Sequence, residues 1–260
     1  EIAEFTNFSE ILDGRVKSLH PKIHAGVLAK KTDKSHIKEL KKIKAPFIDL
    51  VVVNLYPFEK VVNSQKSGKL KCIENIDIGG PTLIRGAAKN FDNVTVLTNP
   101  NQYNSFLEVV DKNHNKIPKS FRENCAIVAF ENTSFYDGMI SNWFNRDNPD
   151  FCNEKISLIF NKVSQLRYGE NPHQKAALFK LKENPLIKVS GKDLSFNNIY
   201  DLEVAMELAQ QFQEPSCVIL KHGNPCGVAL DKKQNIAFDK ALNCDKISAF
   251  GGIVAFNKKL

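Results

Sequence analysis

An α/β fold is predicted, on three observations. The run FIDLVVVNLYPF (47–58) is too continuously apolar for a strand with one wet face. It reads as a strand buried on both faces, in a parallel sheet covered by helices. NVTVLTN (93–99) repeats the pattern, and a helix-like run at 81–90 lies between the two, which makes a βαβ unit. Farther on, the amphipathic IYDLEVAMELAQQF (199–212) precedes another apolar strand, SCVILKH (216–222), so strand and helix alternate again.

Each element has a local reason. KELKKIK (38–44) reads as the solvated face of a helix; no aromatic residue interleaves with its lysines, as single-strand nucleic-acid binding would favour. In IDIGGPTLIRGAAKN (76–90), Gly79 and Gly80 permit positive φ and close backbone approach. Pro81 fits the first turn of a helix, whose free amides could receive an anion. Arg85 and Lys89 are four apart and share one helix face, while Asp77 lies outside the helix, free to aim at whatever the turn binds. Residues 102–112 and 118–146 read as helices, with apolar positions recurring at three and four, as in Phe121, Cys125 and Val128. RDNPDFCNEK (146–155) loosens the pattern, and a boundary near 160 divides the chain into domains 1–160 and 161–260. ISAFGGIVAFN (247–257) is a further apolar run with a glycine pair inside.

Composition narrows the class. The 260 residues are 42% hydrophobic and 25% charged, ordinary for a globular protein, and no apolar run approaches a membrane span. The net charge of +7 suits phosphorylated substrates, nucleic acid, or nothing in particular. The start, EIAEFTNFSE, is acidic and polar, unlike a signal peptide. It lacks Met, and the chain stops at FNKKL straight after a strand-like run, as a fragment cut at both ends would. Cys72, Cys125, Cys152, Cys217, Cys226 and Cys244 form no C-x-x-C pair, which points to packing thiols in a reduced, cytosolic chain and away from zinc.

Five stretches could carry chemistry. In DGRVKSLHPKIHAG (13–26), Arg15 and Lys17 alternate and would point the same way on an extended backbone, beside the Ser18 hydroxyl, a set that suits phosphate. His20 and His24 read as structural rather than as metal ligands. In VNLYPF (53–58), Asn54 and Tyr56 sit at the carboxyl end of a strand, where open α/β sheets bind ligands; a plain strand-ending turn before Pro57 is the other reading. The glycine turn at 76–90 is the third. The fourth is LRYGENPHQKAALF (166–179), a Gly/Pro-interrupted loop with Arg167, Tyr168, Asn171 and His173. In the fifth, KHGNPCG (221–227), Lys221 and His222 follow a strand and pair a fixed cation with a group that titrates near neutrality. A zinc-deaminase P-C-x-x-C fails there, since Gly227, Val228 and Ala229 follow Cys226, so a metal-free reaction is expected.

Taken together, GRVKSLHPKIHAG, NLYPF, IDIGGPTLIRGAAKN, LRYGENPHQ, KHGNPCG and SAFGG resemble, in order and across residues 13–252, the bifunctional purine-biosynthesis family that joins 5-aminoimidazole-4-carboxamide ribonucleotide transformylase to IMP cyclohydrolase. The resemblance implies a methylglyoxal-synthase-like parallel-sheet cyclohydrolase domain, followed by the beginning of a cytidine-deaminase-like α/β transformylase domain. It implies the last two steps of IMP synthesis: formyl transfer from the cosubstrate 10-formyltetrahydrofolate, then dehydrative ring closure. A homodimer, no catalytic metal, no nucleic acid and no membrane are expected. A nucleotide-binding regulatory domain of the same fold without turnover is the alternative.

Residue by residue, the resemblance places Arg15, Lys17 and Ser18 at the nucleotide and lines the cyclohydrolase pocket with Asn54 and Tyr56. Asp77, Ile78 and Gly79 contact the ligand, and Lys89 is the principal proton-transfer residue, with Lys17 left open as the other candidate for protonating the leaving hydroxyl. Arg85 stays structural. In the transformylase half, Arg167, Tyr168, Asn198 and Gly251 bind nucleotide, His222 is the general base and Lys221 stabilises the oxyanion. The family also carries a preceding strand with a serine-rich, lysine-bearing loop, and most of the folate site, outside the segment that these motifs span.

Overall fold

A computed structural model describes residues 2–64, 68–146, 155, 157–180 and 187–259. The chain forms two compact units, Glu1–Ile159 and Phe160–Leu260.

The first unit runs α1 (Ile2–Thr6), α2 (Pro21–Leu28), α3 (Lys34–Lys42), β1 (Leu50–Val52), α4 (Phe58–Val62), α5 (Lys69–Glu74), α6 (Gly79–Lys89), β2 (Thr95–Leu97), α7 (Tyr103–Lys112) and α8 (Lys119–Asn145). β1 and β2 pair in parallel, with Val51 opposite Val96, so the βαβ unit predicted from the two apolar runs is present. α6 turns Gly80, Ile84, Ala87 and Ala88 inward, a stripe at helical spacing, against Val27 of α2, Val94 before β2 and Val96 within it, and Ala126 and Ala129 of α8. Asn90, buried just after α6, donates from its side-chain amide to the Val27 and Ala29 carbonyls at 2.8 and 3.0 Å, so it satisfies the end of α2. The lysine face of α3 is solvated and only Leu40 is buried, as its pattern predicts.

Two expectations are corrected here. β1 is not buried on both faces: Val51 meets the core, but Leu50 and Val52 are 38% and 46% exposed. The strand is three residues long, and a period of two puts those two side chains together on the face away from Val51. The Arg15–Lys17 segment is not extended. Leu12, Asp13 and Gly14 have φ of 55°, 53° and 87°, Ile11 bridges back to Val16, and Arg15 is helical at φ −66°, ψ −24°. This tight reversal sends Arg15 and Lys17 to different partners.

The second unit contains β3 (Asn161–Gln165), β4 (Ala177–Lys180), α9 (Phe196–Gln210), β5 (Ser216–Lys221), β6 (Asn224–Leu230), α10 (Gln234–Cys244) and β7 (Ile253–Phe256). β5 is central in the antiparallel sheet β6-β5-β7. Its alternating side chains divide: Val218 and Leu220 pack with Ala205 and Ala209 of α9, while Cys217 and Ile219 pack with Ala237 and Ala241 of α10. The predicted apolar strand at 216–222 is thus buried on both faces, between two helices. The run 247–257 divides instead: its second half is β7, and its first is a turn in which Ile247 and Phe250 are 90% and 84% exposed. The loosened stretch 146–155 falls mostly outside the described residues, and Cys152 with it.

Candidate active sites

In the first unit the glycine turn is assembled from three directions. Asp77 accepts a hydrogen bond from the Gly80 N–H at 2.7 Å, while its own N–H donates to the Tyr136 hydroxyl at 2.8 Å. Tyr136, on α8, in turn donates to the Asn75 carbonyl at 3.2 Å. Burial, followed by the nearby Asp77, Asp137 and Tyr56, pushes the Tyr136 phenol up, partly offset by the Asp77 N–H bond. A Cβ at Gly79 would stand 2.5 Å from the Ser18 hydroxyl, and one at Gly80 equally close to the Asp77 carboxylate. The two glycines therefore serve close approach within a helix; neither takes positive φ. Asp77 is not free to aim: one oxygen already serves the first turn of α6, as a capping carboxylate would.

The other candidates of this unit are placed unequally. Arg15 pairs with Glu74, three residues before Asp77, and Lys17 with Glu10 at 3.0 Å, near a cavity of about 330 Å³ lined by Ile2, Phe8 and Glu10. Ile78 is exposed at the turn and Tyr56 is exposed too. Asn54 donates to the Tyr103 hydroxyl at 2.9 Å, at the end of β1 and the start of α7. Lys89 lies on the helix that follows the turn. It is the last residue of α6, ten residues beyond Gly79, so at the helical rise it lies roughly 15 Å along the axis from the turn. Arg85 stacks its guanidinium over Phe130 of α8 at 5.7 Å, a structural role. His20 accepts the Lys22 N–H at the start of α2, and burial lowers the pKa of His24, opposed by a hydrogen bond with the Ser18 backbone.

In the second unit, α9 is the organising element. Ser195 and Asn198 form its capping box, which occupies the Asn198 carbonyl oxygen. The Tyr168 carbonyl accepts the Phe196 N–H at 3.1 Å, and the Arg167 N–H donates to Leu194 at 2.9 Å, so the loop after β3 is tied to the start of α9. Arg167 lies over the Tyr168 ring at 4.8 Å and bonds its hydroxyl at 3.1 Å. Arg167, Tyr168 and Asn198 are thereby brought together.

KHGNPCG proves to be a hairpin. Lys221 pairs with Asn224, and the two residues between, His222 and Gly223, have φ of 55° and 72°, the left-handed pair of a tight hairpin turn. This two-residue turn is why β5 and β6 run antiparallel. His222 is exposed at the tip. Lys221 donates to the Phe250 carbonyl at 2.9 Å, next to Gly251, whose φ is +76°; two ammonium protons remain for a ligand. Cys226 packs with the α10-facing cluster. Among the described residues no group of three His, Cys, Asp or Glu could hold a metal ion.

Sequence reasoning missed Tyr136, Tyr103 and Asp201. The two tyrosines lie on helices whose patterns announce only packing. Asp201 did carry a signal: an acid on the apolar stripe that continues through Ala205 and Ala209.

The description AICARFT/IMPCHase bienzyme matches residues 87–260, and MGS-like domain matches residues 1–82. The bifunctional purine biosynthesis protein PurH of Prochlorococcus marinus (strain MIT 9515) is 46% identical over 270 residues, covering 99% of this chain and 52% of that protein. PurH of Caldicellulosiruptor saccharolyticus (strain ATCC 43494 / DSM 8903 / Tp8T 6331) is 45% identical over 273 residues, covering 100% of this chain and 52% of that protein. The chain thus spans about half the length of the curated relatives it matches. The crystal structure of ForH matches 55% of this chain and 75% of its own at 32% identity, with a TM-score of 0.48, too low to add to the fold argument. With one matched description covering residues 87–260 and KHGNPCG and SAFGG lying inside it, the chain belongs to the AICARFT/IMPCHase bienzyme family.

Proposed function

We propose that this chain contributes a cyclohydrolase domain, residues 1–160, and the first part of a transformylase domain, residues 161–260, to a homodimeric, cytoplasmic enzyme for the last two steps of IMP synthesis. The observation that carries the reading is that one chain of this family holds both constellations: Ser18 with Asp77 at the glycine turn, and Lys221 with His222 at the hairpin tip.

In the transformylase half, the 5-amino group of the ribonucleotide attacks the formyl carbon of 10-formyltetrahydrofolate. His222 takes the amine proton and Lys221 stabilises the oxyanion of the tetrahedral intermediate, which collapses with loss of tetrahydrofolate. Arg167, Tyr168, Asn198 and Gly251 hold the nucleotide. In the cyclohydrolase half, the carboxamide nitrogen attacks the formyl carbon of the same molecule and water is lost. Much of the rate comes from proximity, since the reaction is intramolecular. Arg15 and Ser18 receive the phosphorylated nucleotide, with Asn54, Tyr56, Ile78 and Gly79 lining the pocket. Asp77, already bonded to Gly80, orients the carboxamide. Lys89, on the last turn of α6, is the principal proton-transfer residue, and Lys17 is the other candidate for protonating the leaving hydroxyl.

The test uses the whole protein. The formylated ribonucleotide is supplied without metal or folate and IMP is followed by ultraviolet absorbance, for the parent, Lys17→Ala and Lys89→Ala. Turnover in the parent and none in Lys89→Ala are expected. A larger loss for Lys17→Ala would move the proton transfer to Lys17, and binding without turnover in the parent would favour a regulatory domain.

A further inference from the structure

The carboxylate of Asp201 is an unusual object in this unit. It lies on the inward stripe of α9 and is 8% exposed. A carboxylate so placed must be paired or hydrogen-bonded, and its two oxygens go to two successive backbone amides. Oδ1 accepts the Gly223 N–H at 2.8 Å, and Oδ2 accepts the His222 N–H at 3.3 Å. Those residues form the tip of the β5–β6 hairpin.

The tip needs such a partner. His222 is held at φ 55°, a conformation that residues other than glycine seldom adopt and that persists only where the surroundings impose it. Gly223 follows at φ 72°, and a Cβ there would stand 2.8 Å from the Tyr200 ring, so the turn is pressed directly onto α9. The amides of a two-residue turn face away from the sheet ladder and require an acceptor. Asp201 supplies one for each, next to Tyr200 in the same helical turn and three residues after Asn198.

We infer that Asp201 is a positioning residue for formyl transfer: by accepting both turn amides it imposes the left-handed backbone that presents the His222 imidazole beside Lys221. This rests on the reading of His222 as the base. Asp201 touches the backbone of His222 and acts through it. A neutral side chain of the same shape cannot give each amide its own oxygen, since an asparagine in this pose turns its NH2 toward one of the two N–H groups.

In the whole protein, Asp201→Asn lowers kcat for formyl transfer about tenfold, with KM for the ribonucleotide and the rate of ring closure unchanged. In a His222→Ala background the same change costs nothing further, because a residue acting only through His222 has nothing left to position. Hydrogen exchange followed on the peptide spanning 221–226 becomes faster in Asp201→Asn, while β5 and α9 keep their protection. An unchanged kcat, a loss that adds to that of His222→Ala, or faster exchange across the whole unit would overturn the positioning role. Formyl transfer surviving in His222→Ala itself would overturn the underlying reading of the hairpin instead.

Discussion

Glycine at position 80 leaves the space that the Asp77 carboxylate occupies, and glycine at 79 leaves the space beside the Ser18 hydroxyl. Gly80→Ala forces the carboxylate off the Gly80 N–H. The loss of that cap costs about 1–2 kcal/mol of stability, read by denaturant titration, and ring closure falls with it. Tyr136→Phe removes the hydroxyl that accepts from Asp77 and donates to Asn75; ring closure is expected to slow while formyl transfer holds, which separate assays on one preparation compare. None of this pairing is legible in the sequence. Asp77 and the glycines are adjacent along the chain, but Tyr136 lies 59 residues away, and a tyrosine on a helix carries no mark of its partner.

At the scale of elements, β5 carries the second unit. Its side chains alternate between α9 and α10, so Leu220→Ala opens a cavity under α9 and costs about 2–5 kcal/mol, measured by the midpoint of chemical unfolding. The sequence announced this strand because five successive buried positions leave a continuous apolar word. It announced 47–58 in the same way and misled: β1 is three residues long, with one face open. Continuous hydrophobicity records that a strand is present; which neighbours cover each face is a tertiary matter. For the same reason KHGNPCG read as a strand end with no sign of a return. Left-handed φ at a histidine is not predicted by its side chain, and here Asp201 imposes it from another element.

Across the whole molecule, charge and protonation give two expectations. The net charge is +7, and among the described residues Lys31, Lys119, Lys188 and Lys240 each pair with an aspartate. Exposed pairs add little stability, but they neutralise the field locally, so binding to a polynucleotide is expected to be absent at physiological salt in a titration by fluorescence anisotropy. His24 sets a second. Burial lowers its pKa from the ordinary 6.5, so the folded chain binds fewer protons than the unfolded chain below that value. Stability is therefore full above pH 6.5 and declines as pH falls from 6.5 toward the lower folded value. Melting curves between pH 7.5 and 5 on the parent and His24→Gln should show a shallower decline in the variant.

By itself the sequence determined the alternation of strand and helix, the helical phases of 118–146 and 199–212, and the motifs whose order marks the family, because periodicity and short-range chemistry are local properties. The tertiary structure alone decided that Arg15 and Lys17 part company, that Tyr136 meets the Asp77 N–H, and that a buried aspartate on α9 holds the His222 hairpin. Each depends on which groups from other parts of the chain come within reach, and that is settled by packing.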